Sequence, residues 1–189
     1  PDGGTTMFRG EKNTQWEGGF RVPTLIRWPG LIEPGTVIND IAAHEDMLPT
    51  LMAAVGEPDI KEQLLEGGVE AIGRTYRVHL DGYNLMPAFQ GEGEWPREEF
   101  LYWTDDGSVA ALRYNDWKVT FLEQQALGLD VWIEPFTVLR APVLTNLRMD
   151  PFERAREENA MGYQRWYVER MFAIAPAAAY VARWLESFR

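Results

Sequence analysis

Apolar positions change their period along this chain, and each change marks an element. Met47, Leu48, Leu51, Met52 and Val55 recur at helical spacing, which predicts a helix over about 45–55 with one packed face. Asp46 stands where a cap belongs, Pro49 falls in the first turn, and Gly56 ends the run. A second short helix is expected over 59–65, stopped by Gly67 and Gly68. Ahead of both, residues 1–19 read as loop, and the apolar run 20–28, closed by Pro29-Gly30, reads as a short buried strand. Residues 75–80 alternate like a strand before the turn Asp81-Gly82, and 84–89 suit a turn or two of helix.

From Phe100 the period becomes two. Segments 100–104, 109–114 and 117–122 alternate, separated by Asp105-Asp106-Gly107 and Asn115-Asp116, and this predicts an antiparallel meander. A connection over 123–140 leads to one more strand at 142–147, which Asp150-Pro151 terminates. Two helices are expected afterwards, at about 163–173 and 177–188, with Pro176 between them. The pattern is that of an α/β body over 1–95, followed by a subdomain over 96–189. That subdomain is a small four-stranded antiparallel sheet covered by a C-terminal helix.

With 46% hydrophobic and 13% aromatic residues among 189, the chain has the material for a packed core. Its 29 acids against 18 bases give a net charge of −11, which argues against a broad nucleic-acid or anionic-membrane surface. Cysteine is absent, so disulfides, thiolate metal sites and a cysteine nucleophile are excluded within these residues. The first residues have no signal-peptide pattern, and Pro1 in place of an initiator Met suggests a segment of a longer chain.

The chemistry concentrates near the start. In Gly10-Glu11-Lys12-Asn13-Thr14-Gln15-Trp16-Glu17-Gly18-Gly19, one lysine and a glycine pair can aim an ammonium and backbone amides at a tetrahedral anion. Spacing alone favours an ordinary surface lysine on a turn. Glu17 can orient Lys12 or satisfy loop amides, and Arg21 reads as a packing or ion-pair residue. His44 and His79 read as structural, since neither has a second ligand at metal spacing. Asp105 and Asp106 read as turn residues. Trp95, Phe100, Tyr102, Trp103 and Trp117 read as core between sheet and helix, with exposed members able to border a substrate entrance.

The run 1–6, the Gly10-Glu11-Lys12-Asn13-Thr14 segment and Trp16-Glu17-Gly18-Gly19-Phe20-Arg21-Val22-Pro23 closely resemble a signature region of the arylsulfatases. Later segments resemble the same family in order and spacing. They are Arg27-Trp28-Pro29-Gly30, His44-Glu45-Asp46-Met47-Leu48-Pro49-Thr50-Leu51, Leu80-Asp81-Gly82-Tyr83-Asn84-Leu85 and Asn146-Leu147-Arg148-Met149-Asp150-Pro151. The resemblance implies the C-terminal part of an alkaline-phosphatase-like sulfatase fold and a sulfate-binding role for Lys12. It also implies a formylglycine nucleophile, made from Cys or Ser in a Cys/Ser-x-Pro-x-Arg motif, and a calcium ion on the sulfate oxygens.

This chain departs from that pattern. Neither Ser108 nor Ser187 begins a Ser-x-Pro-x-Arg motif, and the family's calcium ligands precede the lysine region. The expectation is therefore a sulfate ester as the whole protein's substrate, calcium bound through ligands outside this chain, and no turnover by these residues alone. Two further readings stay open: a phosphate or phosphonate ester hydrolase of the same superfamily, and a noncatalytic binding module. An excised 20–28 strand would leave an unpaired edge through which copies associate, or a disordered 1–19 loop.

Overall fold

The computed structural model describes residues 6–188. These fall into two compact units, one formed by 6–23 with 99–188 and the other by 24–98. The grouping differs from a sequence-order division at 95, because the first segment packs with the late sheet rather than with the residues that follow it. Residues 1–5 of the signature-like opening lie outside the described residues.

The first unit begins with α1 (Glu17–Phe20), a single turn. The strand expected over 20–28 is absent: beyond α1 this segment forms neither helix nor strand, and Leu25 is 98% exposed. Apolar residues make a strand only when another strand completes the ladder, and none of the described residues does so here.

The 24–98 unit contains α2 (Met47–Ala54), α3 (Ile60–Glu66), a two-stranded ribbon of β1 (Val69–Ala71) with β2 (Arg74–Tyr76), and α4 (Met86–Phe89). Asp46 is not the side-chain cap of α2. Its buried carboxylate instead accepts the amides of Ala43 and Tyr83, at 2.8 and 2.7 Å. Buried Arg97 grips the same carboxylate in a fork, Nε to Oδ2 at 2.8 Å and Nη2 to Oδ1 at 2.6 Å. Gly82 sits so close to the Glu45 carbonyl that an added Cβ would lie 1.9 Å from its oxygen. Two of the family-like segments, 44–51 and 80–85, are thus joined by the Tyr83 amide on Asp46 and by the close approach of Gly82, while Arg97 balances the same carboxylate. Trp95 belongs to this unit, where its indole donates to the Ile41 carbonyl at 2.5 Å. It is not part of the sheet core in which the sequence placed it.

In the first unit the four-stranded antiparallel sheet follows the expected meander. Its order is β3 (Glu99–Trp103), β4 (Val109–Tyr114), β5 (Trp117–Glu123) and β6 (Thr137–Asn146). Asp105 and Asp106 occupy the first hairpin turn with Gly107, whose φ of 76° suits a residue without a side chain. Pro142 sits in edge strand β6, where a missing N–H is tolerated. After α5 (Ala155–Glu158), α6 (Ala160–Arg170) and α7 (Ile174–Leu185) cover one sheet face. Trp117 stacks on Trp166, Trp103 meets Trp184, and Tyr114 meets Tyr180. Pro176 lies in the first turn of α7 instead of between two helices, a position that needs no intrahelical N–H.

The period-two alternation gives the sheet two chemically different faces. Trp117, Val119 and Leu144 serve the helix side, while Lys118, its cross-strand partner Arg113, and Tyr102 serve the other. Phe20 of α1 packs edge-on against Phe100 and Tyr102 on that second side.

Replacing Arg97 by Ala strands the Asp46 carboxylate without its charge partner, and is expected to destabilise the 24–98 unit by about 3–5 kcal/mol. Urea unfolding of the variant beside wild type measures this; a loss under about 1 kcal/mol would place the pair among weakly contributing surface bridges.

Candidate functional site

The Lys12 loop is a tight coil held from three directions. Within it, Thr14 N donates to the Glu11 carbonyl at 3.1 Å, Gly18 N to Arg9 O at 2.7 Å, and Gly19 N to Trp16 O at 2.9 Å. The glycine amides are therefore consumed inside the loop and do not face a ligand, contrary to the reading of them as anion donors. The glycines are needed for close approach instead. A Cβ on Gly18 would lie 2.4–2.7 Å from the carbonyl oxygens of Gly10, Arg9 and Phe8, and one on Gly19 would lie 2.6 Å from Glu11 O. Asn13 takes the left-handed turn position, with φ of 65°.

Below the loop lies a buried ionic cluster. Lys118, wholly buried, donates to the Gln15 carbonyl at 2.7 Å and lies 3.2 Å from Glu17 Oε1 and 2.8 Å from Glu153 Oε1. The other oxygen of Glu153 accepts the Glu17 amide at 2.7 Å. Glu17 also accepts from the Tyr102 hydroxyl, from Arg21 Nε at 2.8 Å and from Arg113 Nη1 at 3.4 Å. Arg9 ties the loop's first residue down: it stacks on the Trp16 ring and donates to Glu153 O at 2.9 Å and to the Glu157 carboxylate at 2.7 Å.

The cluster sets its carboxyls differently. Burial pushes Glu17 up, but Lys118, the Tyr102 hydroxyl, Arg113 and Arg21 together outweigh it, leaving Glu17 below its ordinary value. Burial also dominates at Glu153, where Lys118 does not offset it, so that carboxyl is raised. Tyr102 is held well above the usual phenol range by burial and then by the neighbouring Glu17 charge.

Lys12 itself is at the exposed tip. Its ammonium forms no ion pair among the described residues, and its nearest ring partner is Trp132, 5.4 Å from Nζ to centroid. Glu17 does not orient Lys12; its five partners belong to the cluster beneath. Arg21 is the ion-pair residue the sequence suggested. His44 is exposed in a 3-10 turn, and His79 lies 3.2 Å from Asp81; both belong to the 24–98 unit. Among the described residues no group of three or more His, Asp or Glu could hold a metal ion. A calcium ion therefore has no fitting set of ligands here, and no step is assigned through one.

Sequence reasoning missed Lys118, Glu153, Arg113 and the Tyr102 hydroxyl. One signal was present: Lys118 interrupts an aromatic, β-branched strand at a position whose period points inward. Glu153 carried none, since its partners, Lys118 and the Glu17 amide, are both distant in sequence and leave no local signature.

Lys118→Met leaves two carboxylates buried without the cation between them and is expected to cost about 3–5 kcal/mol. The two carboxyls have opposite pH signatures. Glu17, lowered, contributes stability above its unfolded value that is lost as pH falls through the folded one. Glu153, raised from 4.5, contributes stability at low pH that is lost as pH rises through its folded value. Glu153→Gln is thus expected to gain stability relative to wild type as pH climbs above 4.5. Denaturant melts between about pH 4 and about pH 7 check it; a flat or falling difference would mean that Glu153 is held ionised as firmly as Glu17.

The chain is similar to known proteins along much of its length. The family model described as Sulfatase matches residues 2–57, which include the whole Lys12 loop. The chain is 32% identical over 158 residues to arylsulfatase A of Homo sapiens, covering 78% of this chain and 28% of that protein. It is 32% identical over 123 residues to steryl-sulfatase of Mus musculus, covering 63% of this chain and 17% of that protein. The chain thus spans under a third of the length of either relative. In fold it matches a crystal structure of the PsFucS1 sulfatase from Pseudoalteromonas sp. with a TM-score of 0.64 at 24% identity, over 95% of this chain and 32% of that one. Family match, relatives and fold point the same way: this chain is related to the sulfatases.

Proposed function

We propose that these residues form the C-terminal portion of an arylsulfatase-like sulfuric ester hydrolase, in which Lys12 binds the sulfate group. The observation that carries this reading is the position of Lys12. It carries an ammonium without an ion-pair partner among the described residues, at the tip of a braced loop inside the segment that matches the sulfatase family. An ammonium so placed gives a sulfate oxygen up to three donors and a full charge, and its effect grows as oxygens gather negative charge during ester cleavage. The loop cannot easily retreat, because Glu17, Arg9 and Asn13 are each fixed by partners far along the chain. Position, rather than flexibility, is what such a residue contributes to catalysis.

In this reading the formylglycine nucleophile and the calcium ligands are supplied by residues outside this chain. Those outside groups would supply displacement at sulfur, in which the ester S–O bond breaks and the alcohol leaves, and the charge that steadies the remaining oxygens; no residue of this chain takes either task. The present residues bind one oxygen and keep the ammonium aimed.

The test compares the 189-residue chain with the longer protein carrying it, on 4-nitrophenyl sulfate and 4-nitrophenyl phosphate. The expected result is no turnover by the chain alone and sulfate-selective turnover by the longer protein. Lys12→Ala in the longer protein is expected to lower kcat/KM by about a hundredfold or more. Turnover by the isolated chain would overturn the divided-site reading, and preference for the phosphate ester would move the protein to phosphoryl chemistry.

A further inference from the structure

The bond from Asn13 Nδ2 to the Val131 carbonyl, at 2.6 Å, brings two other side chains together. Lys12 precedes Asn13 and Trp132 follows Val131, and Lys12 Nζ lies 5.4 Å from the centre of the Trp132 ring. The same largely apolar segment, 124–134, is fastened to the loop twice more. Gly128 N donates to Glu11 Oε1 at 2.8 Å, and Gln124 N donates to Gln15 Oε1 at 2.9 Å. The Gln124 side-chain amide ties the segment to itself, donating to Val131 O at 3.3 Å and to Glu134 O at 2.8 Å. Residues 11, 13 and 15 are thus each bound to this segment, and Lys12 stands between two of them.

The chain has three lysines, and each holds its ammonium over an aromatic ring. Two of them also engage oxygen. Lys61 donates to the Gly82 carbonyl at 2.7 Å, and buried Lys118 donates to the Gln15 carbonyl while it lies between two carboxylates. For Lys12 the ring is the one partner among the described residues. The difference matters chemically. A ring face attracts a cation through its quadrupole, yet it has no lone pair that occupies a donor and no charge that cancels the ammonium. A carboxylate in the same place would compete with an incoming anion. Trp132 is itself held in place: it ends a 3-10 turn, Gly128–Trp132, in which Val131 is buried while half of the indole stays open.

We infer that Trp132 is a positioning residue for Lys12: its ring restricts the long side chain to one side of the loop and leaves the ammonium's three donors for an anion. This rests on the reading of Lys12 as the sulfate-binding residue. Trp132 need not touch the anion in this role. It reduces the conformational freedom that Lys12 loses when an anion binds, so its whole effect passes through Lys12. An exposed contact of this kind is worth about two- to fivefold in binding or rate.

Isotope-labelled lysine gives three side-chain signals in the NMR spectrum of the 189-residue chain, and Lys12→Ala identifies the one from Lys12. A ring face moves protons above it upfield. Trp132→Leu is therefore expected to move the Lys12 ε-methylene signal downfield, and Trp132→Phe to keep most of the wild-type shift; circular dichroism verifies that each variant is folded. In the longer protein, with 4-nitrophenyl sulfate as substrate, Trp132→Leu is expected to lower kcat/KM about two- to fivefold and Trp132→Phe to restore most of the loss. Added to Lys12→Ala, Trp132→Leu is expected to change nothing further. An unmoved Lys12 signal in Trp132→Leu overturns the inference, as does an unchanged kcat/KM in that variant when Lys12→Ala is slow. An equal loss in the Lys12→Ala background overturns it too, by making Trp132 a structural residue of the loop. If the Lys12 signal moves as expected but Lys12→Ala leaves kcat/KM unchanged, the anion-binding reading of Lys12 fails and takes the positioning role with it, while the ring contact stands.

Discussion

Everything near the candidate site depends on Lys118 being buried between two carboxylates. A lysine with no solvent contact loses several kcal/mol of hydration, and so does each glutamate brought in beside it. The attraction at 3.2 and 2.8 Å recovers much of that, but not a large surplus, so the cluster is a modest source of net stability. What it fixes is register. Lys118 holds the Gln15 carbonyl while Glu153 holds the Glu17 amide, so the backbone is gripped two residues apart by one ion pair. A hydrophobic residue at 118 could fill the same volume without fixing either peptide. The cluster thereby makes the position of the loop a property of strand β5 and of the turn before α5.

The glycine pair completes that constraint by steric means. Glu17 can enter the cluster only if the chain folds back beneath the carbonyls of residues 8–10, and there Gly18 has no room for a Cβ. The Trp-Glu-Gly-Gly sequence is consequently one unit with three jobs. Trp16 receives Arg9 on its face, Glu17 supplies the buried charge, and the glycines permit the close turn. Lys12 takes no part in this arrangement; among the described residues the one partner of its ammonium is the Trp132 ring.

The sheet and its helices were legible because their signals are local. Alternation over 100–122, the Asp-Asp-Gly and Asn-Asp turns and the helical periods all act within about ten residues. The strand over 20–28 was misread for the converse reason, since hydrophobic content does not supply a neighbouring strand. Asp46 was misread as a cap because cap chemistry is local, while its actual partner Arg97 lies fifty-one residues onward. The site was half legible. Lys12 and the glycines are adjacent in sequence, but Lys118, Glu153 and Trp132 reach the loop through tertiary pairing that no period encodes.

A chain with net charge −11 is a poor long-range attractor of anions, so any anion taken up at Lys12 is held at short range. At physiological ionic strength fields decay over about 8 Å, which confines the contest to the immediate surroundings of Lys12. There the obvious competitor is Glu11, its sequence neighbour. That carboxylate accepts the Gly128 amide and is thereby engaged with the 124–134 segment. The same bond that braces the apolar segment thus diverts the acid from the ammonium. One contact draws the acid away from the ammonium and fixes the 124–134 segment against the loop.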